Sequence, residues 1–173
     1  MKIEAGVAGD IDELEQLYND LNDYLDANLN YAGWKKDMYP TRREAENGLK
    51  EGGLFVLKIG DRIAGSVILS HRQEAAYFKA KWGVAAEGDE VMVVRTLVTH
   101  PDSLKQGVSQ ELLQFAKVYA LEKGCKAIRL DVAQQNMPAI SLYEKCGYSY
   151  VDTVDLGLPY EHLKWFRLYE LVL

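Results

Sequence analysis

The run Val98-Thr-His-Pro-Asp-Ser-Leu-Lys-Gln-Gly-Val-Ser109 passes from a hydrophobic stretch through a polar turn into the amphipathic segment Gln110 to Lys123. A strand end, a turn of main-chain amides and a helix N-terminus carrying roughly half a positive charge together suit a phosphorylated ligand. Gly107 fits such a turn because a residue without Cβ adopts positive φ and lets phosphate approach the backbone. An ordinary strand-to-helix turn has the same composition, so the turn by itself leaves both readings open.

A second block follows. Ala127-Ile-Arg-Leu-Asp-Val132 reads as a short β run, and after it comes Ala133-Gln-Gln-Asn-Met-Pro-Ala-Ile-Ser-Leu-Tyr-Glu-Lys-Cys-Gly-Tyr148. Pro138 fits the first turn of a helix and Gly147 the left-handed residue that ends one. Amphipathicity alone turns Ile140, Leu142 and Tyr143 toward a core.

The elements that must position these residues are legible as patterns. Lys2 to Val7 reads as a strand. Asp10-Ile-Asp-Glu13 reads as a capping box opening a helix to about Asn28, with Leu14, Leu17, Leu21 and Leu25 inward. Tyr31 to Pro40 has loop composition. Thr41-Arg-Arg-Glu44 is a second capping box, for a helix stopping at Gly52-Gly53. Leu54 to Ile59 and Arg62 to Ser70 form a hairpin around Gly60-Asp61. His71 to Asp89 reads as a long connection, Glu90 to Thr99 as a central apolar strand, and Tyr148 to Val154 with Leu163 to Leu171 as a last pair of strands. The order predicts an α/β (α+β three-layer) domain with a mixed sheet and helices on both faces.

Size and composition narrow the function classes. The 173 residues are expected to form one domain. A net charge of −6 disfavours a nucleic-acid partner and tolerates a cationic or amine-bearing one. Cys125 and Cys146, the two cysteines, show no Cys-x-x-Cys pair and no nearby histidine cluster, so neither a metal site nor a disulfide framework is expected. No apolar stretch is long enough to span a bilayer and no basic-then-apolar leader opens the chain, so the expected location is cytoplasmic.

The two blocks together resemble the signatures of the GNAT acetyltransferase superfamily. Its first signature is a hydrophobic strand ending in Val-His-Pro or similar, then Gln/Arg-x-x-Gly-x-Gly/Ala opening a helix; Leu97-Val-Thr-His-Pro101 and Leu104-Lys-Gln-Gly-Val-Ser109 occupy it. Leu104 and Ser109 depart from the favoured residues, and Lys105 offers a compensating charge. The second signature, Asn-x-x-Ala-x-x-x-Tyr-x-x-x-Gly-Phe/Tyr, is matched by Asn136, Ala139, Tyr143, Gly147 and Tyr148. The element order is similar to the GNAT fold over essentially the whole chain, which implies a mostly antiparallel sheet and a splayed strand pair that admits the cofactor.

The resemblance implies acetyl-CoA as cofactor and transfer of acetyl to a primary amine of a small molecule by direct attack. Lys105, Gln106, Gly107, Val108 and Ser109 would cradle the pyrophosphate. Leu97, Val98 and Thr99 would carry the pantetheine arm and polarise the thioester carbonyl. Asn136 and Tyr143 would contact the cofactor, with Tyr143 protonating the leaving thiolate, a task that suits a phenol of ordinary pKa about 10. Glu90, His100 and His71 are the candidates for a general base, and Glu90 is the one carried forward. Tyr31, Trp34, Tyr77, Trp82, Tyr160 and His162 are candidate acceptor contacts, as aromatic groups that could stack on an acceptor or enclose a cation. A homodimer is common for this fold. The other readings are a non-catalytic acyl-CoA sensor or interaction domain, and an acyltransferase using another acyl-CoA or acceptor.

Overall fold

A computed structural model describes all residues, Met1–Leu173. It has a seven-stranded sheet in the order β1-β2-β3-β4-β5-β7-β6, with β1 Lys2–Ala5, β2 Leu54–Ile59, β3 Arg62–Ser70, β4 Val91–Thr99, β5 Ala127–Ala133, β6 Ser149–Asp155 and β7 Trp165–Val172. The helices are α1 Ile11–Ala27, α2 Arg42–Lys50, α3 Val108–Glu122 and α4 Met137–Lys145. The β1–β2, β2–β3, β5–β7 and β6–β7 ladders are antiparallel, and β4 runs parallel to β5 in register over Val91–Val93. No helix is long and apolar enough to cross a membrane.

The chain forms two compact units. The first comprises Met1–Asn30, Trp34–Ser70 and Val94–Ala116. Its core gathers Leu14, Leu17, Tyr18 and Leu21 of α1 against Leu54, Val56, Ile63, Ile68 and Val98 of the strands. These α1 positions follow the three-and-four spacing of an amphipathic helix, and each large apolar side chain so buried contributes about 1.5–3 kcal/mol. Burial pushes the Tyr18 phenol up to about 12, so it stays neutral.

The two capping boxes fare differently. At α2 the Glu44 carboxylate accepts from the Thr41 N–H at 2.6 Å and from its hydroxyl at 2.7 Å, as the spacing predicts. At α1 the expected box is replaced. Asp10 closes a preceding single turn by accepting from the Val7 N–H at 2.9 Å and binds Lys58 at 3.0 Å. Glu13 instead accepts from the Ile63 N–H at 2.7 Å, beside the register shift between β2 and β3. A strand amide next to a ladder irregularity outcompetes the local cap, because a main-chain donor must be bonded somewhere.

The second unit comprises Tyr31–Gly33, His71–Val93 and Lys117–Leu173. Within it, the long connection after β3 is moored by one buried cation. Arg129 on β5 donates to Glu170 at 3.0 Å, to Gln73 at 2.9 Å and to the Val84 carbonyl at 2.9 Å, with the Trp82 ring 4.3 Å from its guanidinium. Glu170 also accepts from the Gly83 N–H at 2.7 Å, and a Cβ on Gly83 would meet that carboxylate at 2.9 Å. Arg129 and Glu170 are only 3% and 4% exposed, so every donor and acceptor of the pair needs such partners. Replacing Arg129 with Met leaves a buried carboxylate unpaired, and urea unfolding is expected to show a loss of about 3–5 kcal/mol.

Candidate functional site

In the first unit, β4 ends at Thr99 and the chain makes a single turn at Pro101–Ser103 before α3. Lys105 and Gly107 both take left-handed φ, 63° and 82°, and the residues from Leu104 to Gly107 are exposed. The Glu111 N–H bonds the Gly107 carbonyl at 3.0 Å. The N–H groups of Val108, Ser109 and Gln110 therefore have no carbonyl one turn back inside α3. A Cβ on Gly107 would meet nothing, so this glycine serves its backbone angle and not a close packing contact.

Two features hold this turn on the sheet. The Ser109 hydroxyl lies 2.7 Å from that of Thr99, so the residue standing where the family favours Gly or Ala ties the helix to the strand end. Gly65 on β3 makes the close approach possible: a Cβ there would lie 2.7 Å from the Val98 carbonyl and 2.6 Å from the Val108 side chain. Leu104, in place of Gln or Arg, is 37% exposed and leaves the amides unchanged in number.

His100 sits just before the turn, 8% exposed. Its Nδ1 accepts from the Asp102 N–H at 3.1 Å, which assigns the proton to Nε2, 3.3 Å from Asp20. Both ring nitrogens are thus occupied, a structural arrangement more than a base. Inside β4, Thr96 has φ 44° and its hydroxyl lies 2.7 Å from that of Tyr39. Left-handed φ at a β-branched residue costs on the order of 1–3 kcal/mol and persists only where neighbours enforce it. Nothing in the composition of β4 signals this kink, and Tyr39 reads in the sequence as a loop aromatic.

In the second unit, Asn136 caps α4 by accepting from the Ala139 N–H at 3.3 Å, with Pro138 in the first turn. Tyr143 is 8% exposed near the other end of α4, where its carbonyl accepts from Cys146 and Tyr148 N–H groups, both at 3.0 Å, and Gly147 takes φ 90°. Its ring is flanked by Tyr148 at 5.9 Å and Tyr169 at 6.4 Å between centroids. Burial pushes the Tyr148 phenol far up, and burial with the nearby Glu144 carboxylate raises that of Tyr169, so both stay protonated.

The remaining candidates separate on the same grounds. Glu90 is ion-paired with Lys126, and that pair with the Glu87 N–H holds its carboxyl below the usual range. A carboxylate stabilised in this way is a weak proton acceptor. Tyr77 is fully buried with its hydroxyl donated to Asp131, and the Trp82 indole N–H donates to the Tyr77 carbonyl at 2.7 Å. Both belong to the packing around Arg129. Trp34 packs on the first unit's core and meets Tyr39 edge-on at 5.3 Å. Tyr31 is 38% exposed, while Tyr160 and His162 stand 6.1 Å apart, the latter bonded to the Gly33 carbonyl at 2.9 Å. His71 donates from Nδ1 to the Val91 carbonyl at 2.8 Å.

A signature turn between β4 and α3, followed by the Asn-to-Tyr block of α4, on a seven-stranded mixed sheet, is the pattern of one enzyme class. The family model for the Acetyltransferase (GNAT) family matches residues 14–148, and the chain belongs to this family. It is 38% identical over 61 residues, 35% of its length, to Streptothricin acetyltransferase of Escherichia coli. The chain covers 34%, 24% and 59% of the lengths of three curated relatives, so it spans less than two thirds of each. A GNAT-family acetyltransferase from Streptococcus agalactiae shares the fold at a TM-score of 0.76 and 18% identity, over 99% of this chain and 95% of that one. yncA of Salmonella typhimurium, solved with its cofactor acetyl-CoA, matches at a TM-score of 0.69 and 14% identity, over 99% and 92%.

Acetyl-CoA is the cofactor of the family. The α3 turn fits its diphosphate: the donors are neutral amides at a positive helix end, Lys105 adds a cation, and no Cβ at position 107 intrudes. Because Gly65 seats the turn against β3, Gly65→Ala is expected to cost about 1–3 kcal/mol in urea unfolding. An unchanged midpoint would mean that the end of β4 can shift to make room.

Proposed function

We propose that this protein is an acetyl-CoA-dependent N-acetyltransferase whose acceptor is a primary amine of a small molecule. The observation that carries the reading is the run of helix-end amides at Val108 to Gln110 behind the left-handed Lys105 and Gly107. Acetyl-CoA supplies an activated acetyl thioester. Lys105 to Ser109 bind its diphosphate through main-chain N–H groups, and Leu97 to Thr99 hold the arm and donate to the carbonyl oxygen as charge develops there. Asn136 fixes the start of α4, and Tyr143, at its other end, gives its proton to the departing sulfur.

The likeness to an acetyltransferase acting on streptothricin over part of the chain supports a small-molecule acceptor. So does the net charge of −6, which favours approach of an ammonium group. That ammonium must lose a proton before attack; for a lysine-like amine this costs about 4 kcal/mol at pH 7.4. With Glu90 paired and His100 bonded at both nitrogens, the proton leaves to water in this reading. A second copy of the chain, in a homodimer, is the partner that the reading includes.

Calorimetry with acetyl-CoA tests the cradle. Gly107→Asp places a carboxylate at the diphosphate and forces a side chain into left-handed φ, and binding is expected to vanish. Retained affinity would reject the assigned cradle. Tyr143→Phe keeps the ring between Tyr148 and Tyr169 and is expected to preserve cofactor binding while turnover on an amine panel falls about 100- to 10,000-fold. Unchanged turnover would remove Tyr143 from the mechanism.

A further inference from the structure

We propose that Tyr39 is a positioning residue for acetyl transfer: its hydroxyl straps Thr96 into left-handed φ, and this strap orients the peptide unit that polarises the thioester carbonyl. The inference rests on the reading above, in which the acyl group lies along the strand from Leu97 onward.

Thr96 is the residue of β4 with positive φ, 44°. A single left-handed residue inside a strand breaks the pleat and re-aims the peptide units on either side, as a bulge does. Threonine has no intrinsic reason to adopt it, since its branched Cβ crowds the backbone there. The enforcing contact is a hydroxyl pair at 2.7 Å between Tyr39 and Thr96, and Thr96 is 8% exposed.

The strap can enforce an angle only if its own anchor is fixed, and Tyr39 is held from several sides. Its N–H donates to the Lys35 carbonyl at 3.1 Å, and its ring meets Trp34 edge-on at 5.3 Å. Asn30 donates to the Trp34 carbonyl at 2.7 Å, and Lys36 binds Asp23 of α1 at 2.7 Å. Asn22 of α1, 2% exposed, donates to the Tyr39 carbonyl at 3.2 Å, and its own Oδ1 is buried without a partner. A buried amide oxygen left unbonded is unfavourable. That the fold accepts it in order to hold the Tyr39 main chain shows how firmly this loop is tied to α1. The position of the Tyr39 hydroxyl is therefore set by the loop, and Thr96 conforms to it.

The consequence for acetyl transfer is geometric. A main-chain N–H that polarises a carbonyl must already point at the oxygen before reaction, and a strand in regular ladder geometry spends its amides on its neighbour. The kink at Thr96 re-aims the Thr96–Leu97 peptide unit, directly ahead of the residues assigned to the cofactor arm. Tyr39 touches neither cofactor nor acceptor in this scheme; it acts through Thr96.

The test combines a crystal structure with a double-mutant cycle. Tyr39→Phe keeps the ring against Trp34 and removes the hydroxyl alone. Thr96 is expected to relax to negative φ in that variant, with kcat about tenfold lower and acetyl-CoA affinity by calorimetry within about twofold of the parent. In a Thr96→Gly background, where glycine takes positive φ unaided, the same Tyr39→Phe change is expected to cause no further loss in kcat. Positive φ at Thr96 in the Tyr39→Phe crystal structure would overturn the strap. An equal loss of kcat in both backgrounds would also overturn it, by assigning Tyr39 to the acceptor directly. A parent protein that acetylates no amine would instead reject the reading of function and the catalytic half of this inference with it, while the Thr96 angle still decides the strap.

Discussion

Main-chain N–H and C=O groups inside a protein are bonded almost without exception, and the first unit carries a place where helix-end N–H groups have no carbonyl partner within their own helix. At the end of β4 the amides cease to serve a ladder and become the open end of α3. Gly65 brings β3 close enough to support the strand end, and the Thr99–Ser109 hydroxyl pair fastens the helix to it. None of these contacts needs a charged side chain. A turn that presents backbone amides tolerates Leu104 and Ser109, because side chains at those positions do not change the number of amides.

Charge is used elsewhere, and for a different purpose. Arg129 and Glu170 are buried together, and each remaining donor or acceptor reaches a partner on the connection after β3. An ion pair in such a place contributes little net stability compared with apolar packing, but it is demanding in geometry, and so it determines where Gln73, Gly83 and Val84 must lie. Tyr77 and Trp82 join the same arrangement through their polar atoms. Aromatic groups with one polar handle are as well suited to tying a loop to a sheet as to binding a ligand, and burial decides between the two uses.

The phenols illustrate how one functional group takes different roles by position. Tyr148 and Tyr169 are kept neutral by burial around Tyr143. Tyr18 is likewise neutral in the core of the first unit. Tyr39 stands on a loop, yet that loop is tied to α1 by Asn22 and by the Lys36–Asp23 pair and braced internally by Asn30, which makes its hydroxyl as well located as one on a helix.

What the sequence by itself determined are the features whose causes lie within a few residues of one another. The Gly60-Asp61 hairpin, the Thr41–Glu44 box, the Asn136 cap with Pro138, and the helix stop at Gly147 all appear where local turn chemistry puts them. The turn between β4 and α3, with its left-handed Gly107, was legible for the same reason, since it is a turn with its helix attached. The features that only the tertiary structure decided have partners far along the chain. Glu13 leaves its local cap for an amide 50 residues on, Tyr77 reaches Asp131 across 54, and Tyr39 reaches Thr96 across 57. Residue types state what a side chain can bond, but when a distant donor competes with a near one, the outcome depends on which groups the fold brings within about 3 Å. Spacing along the chain carries no record of that distance.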